Sequence, residues 1–147
     1  MFVGIAGSRD FPDLALVASV IDTLDADDII VSGGARGVDR AAETRAIDVH
    51  LPVVSFRPLN LVVEHPGWCI ERILLDFDGV QSRTQLPERY PGFAPAAFVR
   101  NGYIVELAEK MLLFWDGHSS GTKDTLRKAQ AKGIPVDLIR DDSLWRR

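Results

Sequence analysis

Two hydrophobic patterns alternate along the chain. Short continuous apolar runs, typical of strands buried on both faces of a sheet, occur at residues 2–6, 29–31, 51–56, 110–115 and 134–139. The segments between these runs have apolar residues at helical spacing, or a composition typical of helices, at residues 14–24, 38–49, 104–111 and 122–132. Strands that alternate with helices favour a parallel sheet with right-handed crossovers and helices on both faces. We therefore predict an α/β fold, a Rossmann-like open parallel sheet of about five strands, in a single domain over residues 1–147.

Residues 58–97 interrupt this alternation. The stretch contains five prolines together with Trp68, Tyr90 and Phe93. We predict an irregular insertion with one short helix at residues 69–77. Two interpretations remain open, because long irregular connections often serve as lids over a binding cleft. The alternative is a tethered surface insertion whose aromatic residues pack against the sheet.

Composition narrows the class of protein. The chain has 17 basic and 21 acidic residues and a net charge of −4, which disfavours nucleic acid as a partner without excluding it, because such proteins are usually basic. Cys69 has no companion for a disulfide, and His50, His65 and His118 lack metal-ligand spacing. We expect no metal and no cofactor. With no signal-peptide pattern and no apolar stretch near ~20 residues, we expect a cytoplasmic protein without a membrane segment.

Three polar loops follow predicted strands and therefore meet at one edge of a parallel sheet, where ligands of such folds bind. The loop at 119–122 opens a helix, whose free N–H groups and positive dipole end favour a phosphate. An ordinary helix N-cap explains the same residues.

The loop at 32–39 contains three glycines directly after a strand, which permits a tight turn and close approach of a ligand to the backbone. It matches neither the G-x-G-x-x-G pattern nor the P-loop. A tight strand-to-helix turn is the alternative explanation for the glycines, and Asp39 then interacts with the helix dipole.

The third loop, at 7–10, contains Arg9, whose planar guanidinium suits a phosphate or carboxylate. Arg100 and Asn101 precede the periodic helix, where an acidic residue is the usual choice, and Asp116 ends a strand. Together the loops predict this set of ligand-binding residues: Gly7, Ser8, Arg9, Ser32, Gly33, Gly34, Ala35, Gly37, Val38, Asp39, Arg100, Asn101, Asp116, Gly117, Ser119, Ser120, Gly121 and Thr122.

These three loops, together with Arg100 and Asn101, resemble the SLOG superfamily and within it the YspA-like group. The superfamily groups DNA-processing protein A with the Lonely Guy phosphoribohydrolases. The resemblance implies a Rossmann-like fold with a nucleotide site at these loops, and a homodimer or larger homo-oligomer.

Members similar to Lonely Guy cleave the N-glycosidic bond of nucleoside monophosphates with an arginine and the glutamate of a P-G-G-x-G-T-x-x-E pattern. The resemblance places Arg100 at the arginine, but Thr125 occupies the glutamate position. A carboxylate there stabilises the positive charge that develops on the sugar, which threonine does not do. Asp116 and Asp124 are the candidate replacements, which makes Arg100, Asp116 and Asp124 the candidate catalytic residues.

Three functional hypotheses follow. The first is a module that binds or senses a nucleotide or nucleotide-derived small molecule. The second is a phosphoribohydrolase that acts on nucleoside monophosphates. The third is single-stranded DNA binding, by analogy with DNA-processing protein A.

Overall fold

The computed structural model describes residues 1–62 and 67–140, in which helices and strands follow one another largely as the sequence predicts. The strands are β1 (Phe2–Gly7), β2 (Ile29–Ser32), β3 (Val53–Leu61), β4 (Gly67–Asp76), β5 (Gly79–Gln85), β6 (Lys110–Trp115) and β7 (Val136–Arg140). The helices are α1 (Leu14–Ile21), α2 (Val38–Asp48), α3 (Phe93–Leu107) and α4 (Ser120–Lys132). Among the residues described, no helix combines the length and apolar character needed to cross a bilayer.

The described strands form a single sheet in the order β5-β4-β3-β2-β1-β6-β7. Strands β1, β2, β3, β6 and β7 are mutually parallel, whereas β4 and β5 run antiparallel to their neighbours. The predicted α/β class, with an open and mostly parallel sheet, is confirmed. The five parallel strands match the expected number, and the two antiparallel strands add to it.

The helices cover both faces of the sheet, and each face has its own core. On one face α1 and α2 pack over inward side chains of β1 such as Val3 and Ile5. On the other face α3 and α4 pack over the alternate residues of the strands, including Val31, Met111 and Leu113. Burial on both faces explains why these strands appear in the sequence as continuous apolar runs.

The expected irregular insertion at residues 58–97 is largely regular structure, and the predicted helix at 69–77 is wrong. Strand β3 continues to Leu61 and pairs with β4, which turns through Gly79 into β5. Residues 69–76 lie in β4 and residue 77 in the turn after it, because strand-favouring isoleucines at 70 and 73 are buried against the sheet. The hairpin thus widens the sheet. Residues 63–66, within the same stretch, lie outside the described residues.

Helix α3 begins about three turns earlier than the sequence predicts. The expected start near residue 104 places Arg100 and Asn101 before the helix, but they lie well inside it. Pro95 does not break the helix, because a proline in the first turn lacks only an N–H that would have no helical partner. The helix ends at Leu107, and Met111 belongs to β6 rather than to the helix.

Strand order reverses at β1, and this reversal positions the cleft. From β1 the chain passes to β2 and β3 on one side, and it later returns to β6 on the other side of β1. The loops that leave β1 and β6 therefore diverge toward opposite faces of the sheet. Such a reversal leaves a crevice at the carboxyl ends of the two strands.

Candidate functional site

A cleft of about 480 Å³ opens at this reversal point. Its lining comes from the loop after β1, the start of α2, one side of α3, and the loop between β6 and α4 with the first turns of α4. The volume lies within the usual range for small-ligand sites. Three separate loops thus meet around one hollow, as the sequence predicts.

The loop after β1 is joined to the loop after β6 by Ser8. The backbone N–H of Ser8 donates to the carbonyl of Phe114 (2.9 Å), and its hydroxyl accepts from the backbone N–H of Asp116 (3.1 Å). Ser8 is almost fully buried. The next residue, Arg9, lines the cleft with its guanidinium 5.5 Å from the ring centre of Phe93. This contact places a cation beside an aromatic ring at the cleft.

Asp116 folds the loop between β6 and α4. Its Oδ1 accepts hydrogen bonds from the backbone N–H groups of His118 (2.8 Å) and Ser119 (2.9 Å). Burial alone would raise the pKa of Asp116, but these hydrogen bonds and the Ser8 hydroxyl hold it below its ordinary value. The carboxylate stays ionised and fixes the approach to α4.

The first turn of α4 points into the cleft. The hydroxyl of Ser119 caps the helix by accepting from the backbone N–H of Thr122 (3.4 Å) and from its hydroxyl (3.3 Å). Ser120 and Gly121 lie beside them in the lining. Free N–H groups and the positive end of the helix dipole make this a place for an anion.

Arg100 reaches the cleft from the middle of α3. Only 8% of it is exposed, and burial lowers the pKa of its guanidinium. Its Nε donates to Oδ1 of Asn101 (3.0 Å), and its Nη1 donates to the carbonyl of Gly33 (2.7 Å). The side chain is therefore held in one position, with its cationic head at the cleft wall.

Asp39 lies opposite Arg100 across Gly33. A Cβ at Gly33 would be 2.7 Å from Nη1 of Arg100 and 2.9 Å from Oδ2 of Asp39, so glycine is the residue that lets both side chains approach. Burial raises the pKa of Asp39 to about 7, partly offset by Arg100 and by the N–H of Ala35. Asp39 is thus a cleft-lining carboxyl whose charge changes near neutral pH.

An aromatic wall, formed by Phe93, Ala94, Ala97 and Phe98 of α3, faces these polar groups across the cleft. Both phenylalanine rings are 41% exposed, and Phe93 also packs edge-on against Trp68 with ring centres 5.5 Å apart. These residues are not among those that the sequence predicts for the site. Residues 94, 97 and 98 follow Phe93 by one, four and five positions, which places all four on one face of a helix. An apolar helix face of this kind more often packs against a core.

Most predicted site residues lie together, and some do not reach the cleft. Those in the lining are Gly7, Ser8, Arg9, Ala35, Asp39, Arg100, Asn101, Asp116, Ser119, Ser120, Gly121 and Thr122. Those outside the lining are Ser32, Gly33, Gly34, Gly37, Val38, Gly117 and Asp124.

The glycine-rich loop is mostly sealed by side chains of the protein itself. Arg100 donates a hydrogen bond to the carbonyl of Gly33, and a Cβ at Gly34 would collide with the side chain of Arg57. At Gly37, where φ is +85°, a Cβ would be 2.5 Å from the carbonyl oxygen of Arg9. The glycines therefore allow protein groups, rather than a ligand in the cleft, to approach the backbone closely.

The candidate catalytic carboxylates are already engaged. Oδ2 of Asp124 accepts from Nδ2 of Asn101 (3.1 Å) and from Nζ of Lys128 (2.6 Å). Thr125 stands in the lining instead, with its hydroxyl donated to the carbonyl of Gly121 (3.2 Å). No carboxylate of the described chain occupies the position where the resemblance places the glutamate.

Comparison with known proteins gives the family. The family model of DNA recombination-mediator protein A matches residues 1–143. The chain belongs to this family. The expected SLOG superfamily is supported at this level, and membership of the YspA-like group stays a prediction. No curated protein matches the chain.

Two solved structures share the fold. DNA processing protein A (DprA) from Streptococcus pneumoniae is 22% identical with a TM-score of 0.67, over 92% of this chain and 49% of that one. A structure of DNA processing protein A from Helicobacter pylori, which concerns that protein's single-stranded DNA binding mode, is 21% identical with a TM-score of 0.60. It covers 94% of this chain and 64% of that one. The chain therefore spans about half to two thirds of the length of these structures.

Proposed function

We propose that the protein binds single-stranded DNA and holds one nucleotide of the strand in the cleft. The observation that carries this proposal is the pairing of two different walls, one that suits a phosphate and one that suits a base. Family membership supports it, because a family member from Helicobacter pylori is described by its single-stranded DNA binding mode. From sequence alone this hypothesis ranks third, because the net charge is negative.

The polar wall provides the phosphate half of the site. The start of α4 offers backbone N–H groups and the helix dipole, and Arg9 and Arg100 add two cationic groups from other elements. Asp116 already accepts two backbone N–H groups of its loop, so its charge is partly balanced by local dipoles. An anion is therefore favoured at this wall.

The aromatic wall provides the base half. Phe93 and Phe98 are partly exposed, with Arg9 near the ring of Phe93 and Lys128 near the ring of Phe98. Every base has a π-face that stacks on such rings whatever its sequence. Binding through stacking and phosphate contacts suits a strand without fixed sequence. A base paired within a duplex does not expose its face in this way.

A free nucleotide or nucleotide-derived ligand is the second candidate. The observation that favours it is the size of the cleft, because about 480 Å³ suits a single small ligand. The phosphoribohydrolase hypothesis receives no comparable support, since Asp116 and Asp124 are engaged and Thr125 stands at the glutamate position.

The test is fluorescence anisotropy with a labelled thymidine oligonucleotide of twelve residues. Phe93→Ala and Phe98→Ala are each expected to weaken binding by about 5- to 150-fold, since stacking contributes ~1–3 kcal/mol per base. Phe77→Ala is the matched control, because Phe77 is 60% exposed at the turn between β4 and β5, away from the cleft lining. Unchanged affinity in both cleft variants would contradict the proposal.

Competition separates the candidates. If thymidine monophosphate displaces the oligonucleotide at equal concentration, the cleft recognises a free nucleotide and the strand adds nothing. If the oligonucleotide binds far more tightly than the monophosphate, the DNA proposal is supported. Chromatography of the same mixtures for released base tests the hydrolase.

A further inference from the structure

Charge is distributed unevenly around the cleft, although the net value is −4. Asp10 lines the cleft and Asp13 caps the start of α1, whereas Asp28 lies at the opposite edge of the sheet, bonded to the N-terminus. Residues 120–132, which form α4, carry four basic residues and one aspartate. The overall acidity therefore conceals a basic flank on the side of the cleft formed by α4.

Two of the basic residues of α4 face solvent and are unengaged. Lys123 and Arg127 are exposed, lie one helical turn apart on one face, and form no ion pair within residues 1–62 and 67–140. Lys128 and Lys132 differ, because they are bonded to Asp124 and to carbonyl groups of α3. Only the first pair is available to an external anion.

A chain of contacts joins the backbone of Lys123 to β7 and to the cleft. The guanidinium of Arg140 lies 5.6 Å from the ring centre of Trp115, whose Nε1 donates to the carbonyl of Ser119 (3.2 Å). Ser119 lines the cleft, and its carbonyl also accepts the backbone N–H of Lys123 (3.2 Å). Cations and a partly exposed indole thus continue directly from the polar wall of the cleft.

We propose that single-stranded DNA leaves the cleft across this surface, the α4 strip, which consists of Trp115, Lys123, Arg127 and Arg140. The inference rests on the proposed function and adds a direction to it. A groove that combines cations for the backbone with aromatic rings for the bases is the usual surface for a single strand.

On the opposite side of the cleft, carboxylates lie next to Arg9. Asp10 lines the cleft there, and Asp13 caps the start of α1 by accepting a hydrogen bond from the N–H of Leu16. Carboxylates at this side repel the next phosphates of a strand. The electrostatic difference between the two flanks therefore favours the α4 side.

The experiment compares the salt dependence of binding for the twelve-residue thymidine oligonucleotide. The double variant Lys123→Ala with Arg127→Ala removes two phosphate contacts, so the slope of log K against log salt is expected to fall by about 1.4. The control, Arg72→Ala with Arg83→Ala, removes two exposed charges from the hairpin at the other edge of the sheet, where Arg83 also forms an ion pair with Glu71. Its slope is expected to stay at the wild-type value.

A second arm separates the strip from the cleft. Thymidine monophosphate bound in the cleft does not reach the strip, so its affinity is expected to be equal in the α4 variant and the wild-type protein. The alternative outcome is that the α4 and hairpin variants give equal slopes of log K against log salt while the oligonucleotide still binds through the phenylalanines. That result would overturn the path across the α4 strip and leave the proposed function unaffected. Absence of oligonucleotide binding in the wild-type protein would overturn both.

Discussion

Replacing Asp39 by asparagine removes the one described carboxyl group whose pKa burial raises to about 7. Only 6% of this residue is exposed, so water screens its charge poorly. In the unfolded chain the same carboxyl ionises near its ordinary value of 3.8. Between these two values the folded protein binds more protons than the unfolded chain, and stability therefore falls as pH rises.

The magnitude follows from the same two values. A rise in pKa from 3.8 to about 7 corresponds, at about 1.4 kcal/mol per pKa unit, to roughly 4 kcal/mol. The contribution is fully present below pH 4, declines as the pH rises to 7 and is absent above it. The asparagine side chain cannot ionise and still accepts the N–H of Ala35. Asp39→Asn is therefore expected to match wild type near pH 4 and to become the more stable protein by about 2 to 4 kcal/mol at pH 8.

Urea denaturation at pH 4, 5, 6, 7 and 8 measures this difference. The Asp78→Asn variant, at an exposed position in the turn between β4 and β5, controls for the removal of one negative charge. Carbon-detected NMR of the Asp39 carboxyl follows its titration directly. A stability difference that does not change with pH, or a carboxyl that titrates near pH 4, would refute the role given to burial.

Three further substitutions test parts of the site. Gly33→Ala places a Cβ 2.7 Å from Nη1 of Arg100, and displacing that hydrogen-bonded head is expected to cost about 1–3 kcal/mol in urea denaturation and to weaken oligonucleotide binding. Lys132→Met leaves three carbonyls at the end of α3 without their donor and is expected to cost a similar amount, whereas Lys123→Met, at an exposed position, serves as the neutral control. Ser119→Ala removes the cap of α4 and is expected to cost about 1 kcal/mol, and an unchanged melting temperature would contradict the capping geometry.

The parallel core and the position of the site could be predicted because each rests on a strong local signal. Strands buried on both faces leave continuous apolar runs, and polar loops directly after them must gather at one sheet edge. The meeting of Ser8 with the loop before α4 follows from that topology alone. No long-range information is needed beyond strand direction.

The hairpin could not be predicted in the same way. All seven residues of β5, Gly79–Gln85, are exposed, so no alternation of apolar and polar positions marks the strand. The early start of α3 was hidden by Pro91 and Pro95, which resemble helix breakers in sequence although Pro95 is compatible with a first turn. Misplacing this start also removed Phe93 and Phe98 from the predicted site.

The net charge of the chain hides the local distribution of charge for a related reason. A single value averages the acidic residues of the whole chain with the basic residues of α4, and only the fold places that helix at the cleft. Local potential, rather than total charge, governs where a strand of phosphates approaches.

The lysines that join α3 to α4 have a consequence for selectivity. Lys132 is bonded to the carbonyls of Val105, Glu106 and Ala108, and Lys128 to that of Phe98, so the helix with the phenylalanines and the helix with the anion-binding end are tied together. We expect these bonds to hold the gap between the two helices at one width before a ligand binds. Larger ligands are then excluded. A ligand of the right thickness binds without the entropic cost of ordering a mobile cleft.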